Sequence, residues 1–214
     1  MHKWTQDWGL QINQVKTQST VFSLSTTTEQ VKIRLGDRIL PQAETPIFLG
    51  ATLDSRLSRK PQIESMRKRG IQKLSLLKRL SGIHWVASPR ILKTVYTGTV
   101  RPTLEYGTSA WATAAKPHTN KLDQVQNMGL RTILGEMKST PIATMQKTAG
   151  VEPLDSRRNA NVLTHGEKVK RMPDHPLHKR LQNVTKNRLK RISLNHVLKE
   201  QLRKQSDILA PRPE

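Results

Sequence analysis

Residues 61–80 read Pro61-Gln62-Ile63-Glu64-Ser65-Met66-Arg67-Lys68-Arg69-Gly70-Ile71-Gln72-Lys73-Leu74-Ser75-Leu76-Leu77-Lys78-Arg79-Leu80. Ile63, Met66, Gly70, Ile71, Leu74, Leu77 and Leu80 recur at steps of three and four, the spacing of one buried helix face. Arg67, Lys68, Lys78 and Arg79 fall mostly on the other faces, and Gly82 stands where a C-terminal cap belongs. Downstream the helical period persists. Ser88-Pro89 reads as an N-cap followed by proline at the first helical position. Ile91, Leu92, Val95, Tyr96 and Thr99 supply the next apolar stripe. Arg101-Pro102 is expected to kink or end that helix, because proline lacks a donor and clashes with the preceding turn. After a loop at Lys116-Pro117-His118-Thr119, a third helix buries Leu122, Val125, Gln126, Leu130, Ile133 and Leu134 and closes at Gly135. A short fourth helix runs from Thr140-Pro141 to Gly150, and a further segment from Pro153-Leu154 through Arg157-Arg158. Beyond about residue 172 the chain is rich in Lys and Arg and is broken by Pro173 and Pro176. A last amphipathic stretch, Leu194, Val197, Leu198 and Leu202, precedes a tail, Ala210-Pro211-Arg212-Pro213, expected to be disordered.

Upstream of Pro61 the period is that of strands. Thr20-Val21-Phe22-Ser23-Leu24 alternates, and Val31-Lys32-Ile33-Arg34-Leu35 alternates more cleanly. Gly36-Asp37 marks a turn into a short partner, Arg38-Ile39-Leu40. Ile47-Phe48-Leu49-Gly50-Ala51-Thr52-Leu53 is another apolar run, closed by Asp54-Ser55. An amphipathic segment with Trp4, Trp8, Leu10 and Ile12 precedes them. The expected class is α+β: a small antiparallel β region at 1–54, a mainly α-helical bundle at 55–160 and a basic helical tail, partly disordered, at 161–214.

The 214 residues hold 37 Lys+Arg against 16 Asp+Glu, a formal charge of +21. The excess is unevenly placed. Residues 1–54 hold 5 basic and 5 acidic side chains and residues 55–101 hold 12 and 1. Residues 102–156 then hold 5 and 5, and residues 157–214 hold 15 and 5. Two positive blocks on helices suit a phosphate backbone, which rewards Lys and Arg by counterion release. Such a charge exceeds what solubility asks of a small chain. An anionic membrane surface is the weaker electrostatic partner. No apolar run approaches the roughly 18 residues of a membrane span. Nor do the first twenty residues resemble a signal peptide, so an intracellular protein, nuclear or cytoplasmic, is expected. With no cysteine there is no disulfide framework, thiolate zinc site or cysteine nucleophile.

Familiar catalytic patterns do not arise. His175 and His178 lie one turn apart with Pro176 between them, and no acid or cysteine completes a ligand set. His165 and Glu167 form no known pattern. Two-metal nucleotidyl chemistry needs two or three converging carboxylates, and no two acids are adjacent anywhere in the chain. The candidate base-stacking aromatics, Trp85, Tyr96, Tyr106 and Trp111, are few and suit a core equally well.

Taken in order, the motifs resemble the late part of a reverse transcriptase of the non-LTR (LINE-type, Jockey-like) retrotransposon family. Trp8 through Thr17 is similar to a W-x-L-x-I-N-x-x-K-T element late in the palm. Ile47 through Asp54 resembles the Y-L-G-x-x-L-D primer-grip region, with Phe48 in place of tyrosine. Val100-Arg101-Pro102-Thr103-Leu104-Glu105-Tyr106-Gly107 matches V-R-P-x-L-E-Y-G. Gln126 through Gly135 resembles Q-N-x-A-L-R-x-I-x-G, with Gly129 where alanine is commoner. Thr140-Pro141-Ile142 and Gly150-Val151-Glu152-Pro153-Leu154 complete a series covering about residues 4–160.

The resemblance implies an RNA-directed DNA polymerase as the family activity, with Lys16 as a possible proton donor to departing pyrophosphate in a complete palm. It implies that Phe48, Leu49 and Gly50 form a primer-grip hairpin. It makes the helices from residue 61 a thumb whose Arg67, Lys68, Lys73, Lys78 and Arg79 track a template–primer duplex by shape and charge. Arg101 and Arg131, set in apolar helices, could brace the bundle or touch phosphate. The family's metal-binding aspartates lie before the point at which this chain begins, as a 5′-truncated element or a partial gene would give. No cofactor is therefore expected here, although the complete enzyme uses Mg2+. The chain alone is expected to be inactive, to bind no small-molecule substrate, and to hold nucleic acid nonspecifically. Two other readings compete: an autonomous basic helical nucleic-acid-binding module without polymerase ancestry, and a pseudogene product with no stable fold.

Overall fold

The structure is a computed structural model describing residues 2–23, 25, 30–82, 87–182, 197, 198 and 200, with side chains described from residue 5 onward. Its chain divides into two compact units, Met1–Gln62 and Ile63–Glu214.

In the first unit a short helix α1 (His2–Asp7) is followed by two antiparallel hairpins. Strands β1 (Arg34–Leu35) and β2 (Arg38–Ile39) pair across Gly36-Asp37 as the turn chemistry predicts. Strands β3 (Ile47–Phe48) and β4 (Ala51–Thr52) pair across Leu49-Gly50. Thr20–Leu24 is not a strand over its described residues. Its neighbourhood instead holds one parallel bridge, Ser19 to Gln42, with the Ser19 amide donating to the Pro41 carbonyl at 3.0 Å. The Ala43 amide returns a bond to the Ser19 carbonyl at 2.8 Å, but beyond this bridge the Ser23 amide turns to the Ser55 carbonyl at 3.0 Å and no ladder follows. The Thr20 hydroxyl donates to the Ala43 carbonyl at 2.9 Å instead.

The first long helix, α2 (Lys60–Leu80), begins and ends within a residue of the sequence expectation. Its entrance is organised by Asp54, whose carboxylate accepts the amides of Ser58 at 2.8 Å and Arg59 at 2.9 Å. Gln62, buried in the first turn, accepts the Thr52 amide at 2.8 Å and so ties β4 to the helix start.

The second unit contains the helical core. Ser88 caps α3 (Pro89–Val95), its hydroxyl accepting from the Ile91 amide. The expected break at Pro102 takes a particular form. Tyr96–Val100 winds as a π turn, with the Arg101 amide reaching back to the Tyr96 carbonyl, and α4 (Arg101–Glu105) continues from it. Wider π winding accommodates a ring that would strike the carbonyl behind it in an α-helix. Helix α5 (Thr108–Trp111) follows the left-handed Gly107. The expected loop at Lys116–Thr119 is instead the first turn of α6 (Lys116–Leu134), since Pro117 sits where a helix needs no donor. Gly135 and Gly150, both left-handed, close α6 and α7 (Ile142–Ala149). Helix α8 runs from Leu154 to Lys170, well past Arg158, and α9 spans His178–Gln182.

The core gathers Ile63, Met66, Leu74 and Leu77 of α2, Leu92, Tyr96, Val100 and Leu104 of the bent helix, Trp111, and the Leu122–Val125–Leu130–Ile133 face of α6. Two glycines permit the close approach of α2, α6 and the bent helix. A Cβ on Gly70 would stand 2.8 Å from Leu104 Cδ2, and one on Gly129 would stand 2.7 Å from Tyr96 Cε2. Ile91, expected in the buried stripe, is exposed, so that stripe is narrower than the sequence suggests. Of the late amphipathic stretch, Val197 and Leu198 are described; Leu198 is buried against Gly166 of α8. Leu194, Leu202, Trp85 and the tail from Ala210 lie outside the described residues, as does Leu24. No helix among the described residues is long and apolar enough to cross a membrane.

Candidate nucleic-acid interface

The basic side chains of α2 fall into three rows. Lys68 and Arg79 are eleven residues apart, about three turns and roughly 16 Å of rise, and so share the face opposite Gly70 and Leu74. Both are exposed. Arg67 and Lys78, also eleven apart, share one flank. Lys73 stands on the other, with Arg69 one turn before it.

These rows are not equivalent. Arg67 donates to Glu64 at 3.0 Å, and Lys121 of α6 reaches the other Glu64 oxygen at 3.0 Å. The Lys121 bond, with Arg67 beside it, holds the Glu64 carboxyl below its usual range. Lys73 donates to the Thr99 carbonyl at 3.1 Å and to Thr103 Oγ1 at 2.6 Å, across to the π turn and α4. Lys68, Arg69, Lys78 and Arg79 point their charge at solvent. Of the five expected cations, three therefore face outward, Lys73 is held by the neighbouring bent helix and Arg67 by Glu64 of its own helix. Exposed Arg69 was not singled out in the sequence, although its place between Lys68 and Gly70 marks it as surface.

The acids of this unit serve the bundle. Glu105 accepts Arg101 at 3.1 Å and Arg157 at 3.2 Å. Asp123 takes both terminal nitrogens of Arg158, at 2.7 and 3.2 Å, and Asp155 takes the second also, at 3.2 Å. Burial works against the Arg158 charge, yet Asp123 and Asp155 more than offset it and raise its pKa. Arg101 and Arg131 both brace. Arg101 binds Glu105 and the Glu152 carbonyl, and Arg131 binds the carbonyls of Met137 and Lys138 beyond the end of α6. The Gln126 side chain accepts the Tyr96 hydroxyl at 3.1 Å and donates to the Glu152 carbonyl at 3.1 Å. Burial pushes the Tyr96 phenol far above its ordinary pKa, so it remains a donor. Trp111 is buried, while Tyr106 is half exposed.

In the first unit, the Asn13 side chain accepts the amides of Val15 and Lys16, at 3.0 and 3.1 Å, and the Thr17 hydroxyl donates to the Asn13 carbonyl at 2.7 Å. Lys16 is thus presented, exposed, on an Asx turn. Phe48, Leu49 and Gly50 form a hairpin knuckle. Leu49 at φ 47° and Gly50 at φ 76° give the two left-handed centres of a type I′ turn. Ile47, Phe48 and Leu49 are 71, 65 and 78 % exposed. The Asp54 carboxyl feels burial, which raises its pKa, but the hydrogen bonds from Ser58 and Arg59 win and lower it. That carboxylate works as a loop cap. Near α9, the His178 Nδ1 donates to the Val169 carbonyl at 3.2 Å and the Leu177 amide donates to His175 Nδ1 at 3.1 Å.

A helical bundle with an outward basic face, preceded by an exposed two-residue hairpin, is the setting for the motifs described above. In sequence the chain is similar to proteins of mobile elements, two of them named as RNA-directed DNA polymerases. It is 32 % identical over 131 residues to a probable RNA-directed DNA polymerase from transposon BS of Drosophila melanogaster, covering 61 % of this chain and 14 % of that protein. It is 25 % identical over 139 residues to the RNA-directed DNA polymerase from mobile element jockey of the same fly, covering 62 % and 14 %. A putative 115 kDa protein of the type-1 retrotransposable element R1DM, also from Drosophila melanogaster, matches at 26 % over 155 residues, covering 70 % and 15 %. The matched stretches span about one-seventh of the length of these relatives. No family model matches the chain, and no solved structure does.

Proposed function

We propose that this chain is a nucleic-acid-holding part of a non-LTR retrotransposon RNA-directed DNA polymerase, gripping a template–primer duplex without reading its sequence. The observation that carries this reading is the division of labour on α2: Lys68, Lys78 and Arg79 are exposed, whereas the acids around them are spent on internal pairs. An exposed cation row without competing carboxylates is what a polyphosphate surface rewards. Arg67 and Lys73 take a supporting part: Arg67 shares the Glu64 carboxylate with Lys121 of α6, and Lys73 joins α2 to the bent helix. The Phe48-Leu49-Gly50 knuckle presses the primer end, its left-handed turn placing two apolar side chains at the tip. Lys16 serves as proton donor only in the company of a complete palm.

The described residues do not fit a magnesium pair. Asp54 caps a loop, Glu64, Glu105, Asp123, Asp155 and Glu167 are ion-paired, and among the described residues no group of three metal-ligating side chains converges. No catalytic step is assigned to them, and this chain by itself is expected not to extend a primer.

The test is the binding of an RNA–DNA duplex across a salt series. Nonspecific phosphate contacts give log K falling linearly with log salt, with a slope of about 0.9 per contact for B-form DNA. Substituting Lys68, Lys78 and Arg79 together by Gln is expected to reduce that slope by about two to three on the same relation. Affinity indifferent to salt would refute the reading. A second reading, an autonomous basic binding module, has no specific observation in its favour beyond charge.

A further inference from the structure

The second positive block contains a built feature that α2 does not explain. Helix α8 ends in Lys168, Lys170 and Arg171, and α9 opens with Lys179 and Arg180; all five are exposed. The intervening turn, 172–177, is held by a chain of hydrogen bonds. The Met172 amide donates to the Val169 carbonyl at 3.1 Å, the His175 amide to the Met172 carbonyl at 3.1 Å, and the His178 amide to the His175 carbonyl at 2.8 Å. His178 Nδ1 then donates back to the Val169 carbonyl at 3.2 Å, locking the start of α9 against the end of α8. Because Val169 is bonded to His178, the end of α8 and the start of α9 lie side by side and carry their exposed cations with them. Two or three cations in a last turn would merely answer the helix dipole. Here, however, Lys179 and Arg180 come from another helix, and among the described residues the five cations stand against two acids, Glu167, paired with Lys170 at 3.1 Å, and Asp174, exposed in the turn.

This corner lies on a different side of the bundle from α2. Helix α6 meets α2 through Lys121, Val125 and Gly129, one ridge at four-residue steps. It meets α8 through Asp123, about 160° around the α6 axis from that ridge. Lys168 and Arg171 lie a further ten to thirteen residues along α8 from Arg158, or roughly 15–20 Å of rise. The Lys68–Arg79 row and this corner are thus carried by helices that meet opposite sides of α6.

We propose that the α8–α9 corner is a second phosphate-backbone surface, so that the helical unit holds nucleic acid at two places at once. It rests on the reading that α2 holds a duplex, and it adds a separate strand or duplex segment, recognised by its polyphosphate chain. Few apolar groups accompany the corner (Met172 is 36 % exposed), so charge and not base stacking carries the contact.

The experiment uses the full chain with fluorescent oligonucleotides, single-stranded RNA in one arm and RNA–DNA duplex in the other. The unsubstituted protein is expected to bind two oligonucleotides and to bring donor- and acceptor-labelled molecules together. Lys168→Gln, Arg171→Gln, Lys179→Gln and Arg180→Gln combined should leave one bound, abolish the energy transfer and lower the salt slope by about two to three. Lys68→Gln, Lys78→Gln and Arg79→Gln combined should also leave one bound, now at the corner. Whichever arm loses its second molecule on corner substitution identifies the strand type held there. A stoichiometry of one, with a slope sensitive to the α2 changes alone, would overturn this proposal and leave the α2 reading standing. If neither variant changes a salt-dependent affinity, both fall.

Discussion

Lys73 directs its ammonium to Thr103, 2.6 Å from that hydroxyl, and to the Thr99 carbonyl, so a residue at home in a basic row is spent on joining two helices. Lys73→Met should lower stability by about 0.5–1.5 kcal/mol, the net worth of a typical hydrogen bond. It should leave the salt slope of duplex binding where it was. Urea denaturation and a salt titration of the same variant check both halves.

Tyr96, Gln126 and Glu152 form a buried relay across the π turn, α6 and the approach to α8. Tyr96→Phe leaves the Gln126 oxygen without its donor and is expected to cost about 1–3 kcal/mol. Thermal or urea unfolding measures it. No change in nucleic-acid affinity at temperatures well below unfolding should accompany it.

Gly129 lies under the Tyr96 ring, where an added methyl would meet Tyr96 Cε2 at 2.7 Å and Leu74 Cδ2 at 3.2 Å. The ring is wholly buried and cannot swing into solvent. Gly129→Ala should therefore destabilise the bundle by about 1–3 kcal/mol through overpacking, despite alanine's better helix propensity. A midpoint in urea equal to or above that of the parent would contradict this packing.

The Leu49 backbone sits in the left-handed region, which costs a residue with a Cβ about 1–2 kcal/mol. Leu49→Asn creates the Asn-Gly pair that type I′ turns favour. Amide exchange in the Ile47–Thr52 ladder should slow by about fivefold, as about 1 kcal/mol of relieved strain implies. If the knuckle presses a primer, the same change should weaken its hold on a duplex end.

Acid should loosen the loop that leads into α2. The Asp54 carboxyl is held below its ordinary pKa by the amides it accepts, so the folded state binds its proton less readily than the unfolded chain. The stability it contributes is complete above the unfolded value, near 3.9, and is lost as pH falls through the lower folded value. Asp54→Ala should remove that contribution at neutral pH, about 1 kcal/mol by analogy with a lost cap, and flatten the stability profile below pH 4. Denaturation midpoints collected between pH 3 and 7 test the sign.

What the sequence made legible was local chemistry. Ser88-Pro89, Gly135 and Gly150 start and stop helices through their own side chains or lack of them, and each does so in the structure. By itself the 47–53 stretch reads as an apolar run; its hairpin is implied by the family resemblance, and the left-handed Leu49 and Gly50 make the turn. The failures arose where a partner distant in sequence decides. Thr20–Ser23 alternates like a strand, but the Thr20 hydroxyl takes the Ala43 carbonyl and the Ser23 amide goes to Ser55, so the pairing stops at Ser19. Pro102 redirected the winding of residues 96–100 without ending the helix, because the core keeps Tyr96 and Leu104 together. Within the candidate interface, the types of the α2 cations were readable, but not which of them are free. Lys73 is claimed by Thr103, thirty residues away, and Arg67 shares Glu64 with Lys121, over fifty residues away. The corner built by His178 and Val169 depends on a hydrogen bond across two prolines, and a charge run alone does not announce it.

The absence of cysteine makes a direct test available. Gln72→Cys places one thiol on the exposed outer face of α2, between Lys68 and Arg79, where a photoreactive group can be attached without competition. With an RNA–DNA duplex at low salt, this position is expected to crosslink efficiently to the nucleic acid, and the yield should fall steeply as salt rises. The control, Ser139→Cys in the exposed loop after α6, should crosslink weakly at every salt concentration. Crosslinking from Ser139→Cys that equals or exceeds that from Gln72→Cys would contradict the assignment of α2 as the surface that holds the duplex.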